Sequence, residues 1–153
     1  MKHVPILIAA ALLAVCADAS AASTPGTDRL ETRLWQLARA TDAQGRRIDA
    51  LFVRGREPYT LRFGHGYMSE LNLCNNVSSQ YRLQGNQLIL ENGIQTVAGC
   101  MRGDIVVQQQ RAGKLMGSRS AAPTLELDDR GALVVRNAQG DTAVFEPAPL
   151  PVK

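Results

Sequence analysis

The sequence is poor in the residues that carry chemistry. Only 2 histidines occur in 153 residues, and His3 lies in an N-terminal segment that reads as removable. The other, His65, stands between two glycines with no nucleophile and carboxylate at a spacing that would make it a base. No G-x-S-x-G elbow is present, and no Ser, Asp and His arrangement is recognisable by spacing. The absence of H-x-x-x-H and C-x-x-C pairs removes the ordinary zinc spacings and the C-x-x-C redox pair. Gly64-His65-Gly66 lacks the third glycine and the strand-to-helix setting of a phosphate loop. No catalytic residue, metal ligand or cofactor is therefore assigned. Aromatics number 7 (Trp 1, Tyr 3, Phe 3). Trp35, Tyr59, Phe63, Tyr67 and Tyr81 read as core and sheet-face residues rather than a base-stacking platform, so no nucleic-acid partner is expected. No segment after the N-terminus reaches the ~20 apolar residues that span a bilayer.

What is present begins with a secretory signal over residues 1–21. Lys2 and His3 form the positive start, and Val4 to Val15 carry no charge. Ala17-Asp18-Ala19 and Ala19-Ser20-Ala21 offer two cleavage sites. Leu13-Ala14-Val15-Cys16 is the rival reading, a lipobox that would anchor the protein through Cys16, although Val15 is bulky for that processing. The expected location is periplasmic or secreted, with the Cys16 lipoprotein as the alternative. Removal of Lys2 and Asp18 leaves the net charge at +3. The basic residues are spread along the chain without a dense block, which suits a solvated surface; contact with anionic headgroups or an acidic partner is the other reading.

Cleavage before residue 22 leaves two cysteines, Cys74 and Cys100. An even pair in an oxidising compartment is most simply a disulfide, with two buried free thiols as the alternative. Asn75-Asn76 follows the first cysteine. Asparagine tolerates left-handed backbone and bonds to nearby amides, so the pair either shapes the loop behind the disulfide or offers polar contacts to a partner. Asn75, Asn76 and His65 are the candidate partner-contact residues.

Residues 22–31 read as a flexible leader, 32–147 as one domain and 148–153 as a tail, with prolines already accumulating from Glu146. Within the domain most segments alternate with period 2, the mark of half-buried strands. Tyr59 to Phe63 and Tyr67 to Leu73 flank a turn at Gly64–Gly66. Ser79 to Leu83 and Gln87 to Leu90 are joined at Gln84-Gly85-Asn86, which suits a hairpin. A further turn is expected at Glu91-Asn92-Gly93. Thr124 to Leu127, Ala132 to Arg136 and Thr142 to Phe145 form a final meander. From Asp104 to Met116 the spacing of Ile105, Gln109, Ala112 and Met116, with Val106 and Leu115 beside them, predicts one amphipathic helix. Asp104 is its expected N-cap and Gly117 its terminator. Thr32 to Thr41 fits either a helix, through Leu30, Leu34 and Leu37, or a strand.

Leu34-Trp35-Gln36-Leu37, the Leu61-x-Phe63 strand, Leu73-Cys74-Asn75-Asn76, Tyr81, Gly85-Asn86-x-Leu88-x-Leu90, Thr96-x-x-x-Cys100 and the last strand ending in Phe145 together resemble the META domain, the HslJ-like family of exported bacterial proteins. The resemblance covers roughly Leu34 to Pro147. The chain departs from the family with Leu73 before Cys-Asn, Ser78-Ser79 before the tyrosine, and Asp104 at the helix start. The resemblance implies an α+β, mostly β fold: a half-open antiparallel β-barrel with one packed amphipathic helix. It also implies links to stress response, drug tolerance and the cell envelope, without enzymatic activity. The expected function is that of a non-enzymatic binding or accessory factor whose partner is a protein or a lipid or peptide ligand. A secreted inhibitor of a lysozyme or protease is the alternative.

Overall fold

The period-two stretches become eight antiparallel strands: β1 (Leu34–Thr41), β2 (Thr60–Gly64), β3 (Tyr67–Leu71), β4 (Val77–Gln84), β5 (Gln87–Gln95), β6 (Thr124–Leu127), β7 (Leu133–Arg136) and β8 (Thr142–Ala148). The computed structural model describes residues 23–118 and 120–151. The signal-peptide reading of residues 1–21, with both cleavage sites and the Cys16 alternative, lies outside the described residues.

Each strand pairs with its neighbour in sequence, and β8 pairs back onto β1, so the sheet forms a ring. The ring is thin at one seam. β5 and β6 share one register pair, Gln87 with Thr124, reinforced by the amides of Leu88 and Leu125 donating to the carbonyls of Pro123 and Asn86 at 2.8 and 2.7 Å. The C-terminal end of the main helix, α2 (Gly103–Met116), stands beside this seam. The architecture is thus the expected one, mostly β with one main helix.

Alternation turns Trp35, Leu37, Leu61, Phe63, Leu125, Leu133, Val135 and Phe145 into the core. Tyr59 meets Phe145 edge to face at 5.6 Å, and Phe63 meets Tyr81 the same way at 5.1 Å, the arrangement that ring quadrupoles favour. These side chains fill the middle of the ring.

Thr32 to Thr41 resolves as a strand from Leu34. The helix-like spacing of Leu30, Leu34 and Leu37 spans two elements, since Leu30 precedes the strand, and the register with β8 shifts between Leu37 and Arg39. Burial therefore passes from Leu37 to Ala40, a three-residue step inside a strand. Glu91-Asn92-Gly93 is not a turn but part of β5. Gln80 faces Glu91 and Ser78 faces Ile94, so one extra residue is absorbed on β5 as a bulge. Asn92 takes the left-handed φ of 49°, and a Cβ on Gly93 would lie 2.9 Å from Ser79 Oγ. An Asn-Gly pair serves a bulge here for the same reasons that it serves a turn.

Both ends of the domain are more ordered than the sequence suggests. In the expected leader, Thr27–Glu31 form a short helix, α1, whose Leu30 is fully buried. The Trp35 indole donates to the Leu30 carbonyl at 3.0 Å, and Ser23 exchanges backbone bonds with Leu127. In the expected tail, β8 continues through Pro147 to Ala148, which faces Leu34. Pro147 faces Trp35 near the end of the strand, where a missing donor is tolerated.

The helix is as predicted in extent, ending at Gly117 (φ 69°). Its cap and its face differ. The N-cap is Arg102; Asp104 lies in the first turn, where it accepts from the Ile105 amide and pairs with Arg102 at 2.6 Å. The buried face is Ile105, Gln108, Ala112, Leu115 and Met116. Val106 is exposed, and Gln109 reaches sideways to the disulfide loop.

Candidate functional site

Cys74, just beyond β3, and Cys100, beyond β5, are joined as a disulfide with their Cα atoms 5.9 Å apart. Asn75 organises what lies between. Its Oδ1 accepts from the Ala98 amide at 2.6 Å and from the Thr96 hydroxyl at 3.2 Å. Its own amide donates to Gln109 Oε1 at 2.7 Å, tying the loop to α2. The Asn76 amide donates to Thr96 Oγ1, and the Thr96 amide returns a bond to the Asn76 carbonyl. The Asn75 side chain is therefore spent within the loop, while Asn76 is exposed. On this cross-linked frame three apolar side chains face water: Ile94 is 71% exposed, Val97 96% and Met101 100%. The sequence reading did not single them out. Their signal was apolar residues in the stretch around Cys100, where the alternation ends.

His65 is not part of that frame. It occupies the β2–β3 turn at φ 52°, exposed, and the whole of β3 separates it from Cys74. The three candidate contact residues thus divide into a pair at the disulfide end and one at the opposite turn.

A second polar feature lies inside the ring. Met68 and Glu70 share the inward face of β3, and both are buried. Tyr59, itself fully buried, donates to Glu70 Oε2 at 2.5 Å. Burial raises the Glu70 carboxyl above its ordinary 4.5, and the Tyr59 bond pulls in the other direction. Burial, followed by the charge of Glu70, pushes the Tyr59 phenol well above 10, so it remains a donor. Period-two parity with Met68 is the signal that places Glu70 inside. Among the described residues, no three His, Cys, Asp or Glu side chains are grouped to hold a metal ion.

A family model for the META domain matches residues 28–149. The chain belongs to the META domain family. No curated protein matches it. An NMR structure of a protein from Burkholderia xenovorans is similar to this chain with a TM-score of 0.66 and 19% identity, covering 94% of this chain and 99% of that one. A second NMR structure has a TM-score of 0.59 and 15% identity, covering 80% and 94% respectively. At these identities the likeness is one of fold.

In this META domain, the residues that carried the resemblance are largely the ones that hold the domain together. Trp35 pins α1, and Phe145 packs on Tyr59. Thr96 and Asn75 build the disulfide loop. Tyr81 stacks on Phe63 and donates to Glu31 Oε1 at 3.0 Å across 50 positions. Burial first, then the bond and charge of Glu31, push its phenol up to about 12.

Proposed function

We propose that this chain is an exported, non-enzymatic META-domain protein that binds a protein partner through its disulfide-closed end. One observation carries the reading: Val97 and Met101 are almost wholly in water on a loop fixed by a covalent bridge and by the Asn75 hydrogen bonds. Apolar side chains this exposed project from the surface, and a projecting loop fits a concavity on another protein. The cleft beside this loop, about 230 Å³ and bordered by Asn76, Ile94 and Thr96, includes neither Val97 nor Met101. The interior is filled by Trp35, Tyr59, Phe63 and Phe145, which favours a protein over an acyl chain. A preformed loop also loses less entropy on docking. Export rests on the N-terminal signal and on the paired cysteines, since disulfides persist in oxidising compartments.

The test places a photo-crosslinking residue at Met101 and, as a control, at Arg130, and irradiates the producing cells. One discrete adduct from position 101, absent from position 130 and lost when Val97→Asp is added, is the expected result. Val97→Asp should leave stability within about 0.5 kcal/mol, as exposed substitutions do. Equal or absent adducts from the two positions would contradict the reading.

The same geometry favours a second reading, inhibition of a lysozyme or protease, because an enzyme cleft is a concavity of the required kind. A panel of such enzymes assayed with micromolar protein decides it: inhibition abolished by Val97→Asp supports it, and full activity throughout rejects it.

A further inference from the structure

The interior carboxylate of Glu70 has no place in a docking loop. α2 is 14 residues long, about 20 Å at the helical rise, and Glu70 lies near its C-terminal end rather than at the disulfide. There Glu70 and Ser79 border a cleft of about 220 Å³, together with Leu88, Leu90 and the end of α2 around Gly113 and Met116. The cleft adjoins the seam where β5 and β6 share a single register pair. Its field is negative from two sources: the carboxylate, and the C-terminal end of the helix dipole.

Nothing basic among the described residues lines this cleft. Arg111, on the same half of α2, is bound to Asp141 at 2.9 Å, and Lys114 is exposed. Both border a separate groove toward Asn137. Only one oxygen of Glu70 is engaged by Tyr59. A buried carboxylate with no cationic partner among the described residues is costly, and a cation entering the cleft would relieve that cost.

We propose that Glu70 and Ser79 form a binding site for an organic ammonium group, with the carboxylate as its counter-ion and the Ser79 hydroxyl as a further acceptor. A divalent metal fits poorly, because no second acidic, His or Cys side chain borders the cleft among the described residues. An ammonium head carries three donors and is small enough for this volume. Its source is either a lysine of a bound polypeptide or a free amine. The site is independent of the docking loop, so either claim can fail alone.

Titration of the ¹⁵N-labelled protein with n-butylammonium chloride, against sodium butyrate at equal ionic strength, tests the site. The expected result is amide shifts confined to Glu70, Ser79, Leu90 and Gly113, seen with the ammonium salt alone. Glu70→Gln should weaken them about tenfold or more, the scale of a lost charged hydrogen bond. Gly113→Leu adds bulk at the cleft's edge, where a Cβ meets nothing within 4 Å, and should weaken them as well. Absence of shifts, or equal shifts in Glu70→Gln, would overturn the site. Spermidine and the peptide acetyl-Ala-Lys-Ala-amide are the final arms: tighter peptide binding assigns the ammonium to a partner's lysine, and tighter spermidine binding to a free polyamine.

Discussion

Glu70 is where single-residue chemistry is most exposed to test. Its carboxyl is raised above 4.5 by burial, so between 4.5 and its folded value the native state holds more proton than the unfolded chain. Stability then falls as pH rises through that window, and the deficit persists at neutral pH. Glu70→Gln keeps an acceptor for Tyr59 but carries no charge. The variant should be more stable than the parent at pH 7, with the advantage fading as pH falls through that window and absent below 4.5. Urea midpoints from pH 4 to 8 would show this, and a pH-independent difference would contradict it. The inward position of Glu70 was legible from its parity with Met68. Its bond from Tyr59 was not, because Tyr59 lies just before β2 and reaches Glu70 only once the pairing of β2 with β3 is set.

Among the elements, β5 and the loop after it depend most on the bridge. Replacing both cysteines, Cys74→Ser with Cys100→Ser, should cost about 3 kcal/mol for a loop of this length. It should also release the Ala98 amide, now held by Asn75 at 2.6 Å, to rapid hydrogen exchange. Protection of Leu88 and Leu90 deeper in β5 should survive. Uniform loss of protection along β5 would show that the bridge supports the whole strand instead. Regular elements were well marked in the sequence: the helix ending at Gly117, the hairpin at Gly85-Asn86 and the closing meander all stand where their patterns put them. The irregular ones were hidden for definable reasons. The spacing of Leu30, Leu34 and Leu37 straddles a short helix and a strand, and Asn92-Gly93 has the composition of a turn while serving a bulge. Gln108 is polar by type yet belongs to the helix's buried face, since its Nε2 caps the Leu51 carbonyl at 3.0 Å.

At the scale of the whole molecule, a filled ring of strands holds one cross-linked, apolar-tipped loop, with α1 and the end of β8 closing the domain around it. The candidate site was half visible in advance. Cys74, Cys100 and Asn75 were marked as its frame, whereas Val97 and Met101, which face the solvent, lie in a stretch without period. Asn75, expected as a contact, is occupied inside the loop, and His65 stands at the far turn. The account holds only if the bridge forms, and the bridge forms reliably only outside the cytoplasm. Intact mass spectrometry of the protein purified from its own host, with and without reduction, tests this directly. The account predicts a chain starting at Ser20 or Ala22 that gains the mass of two hydrogens on reduction. A chain retaining Met1 with no gain on reduction would contradict it.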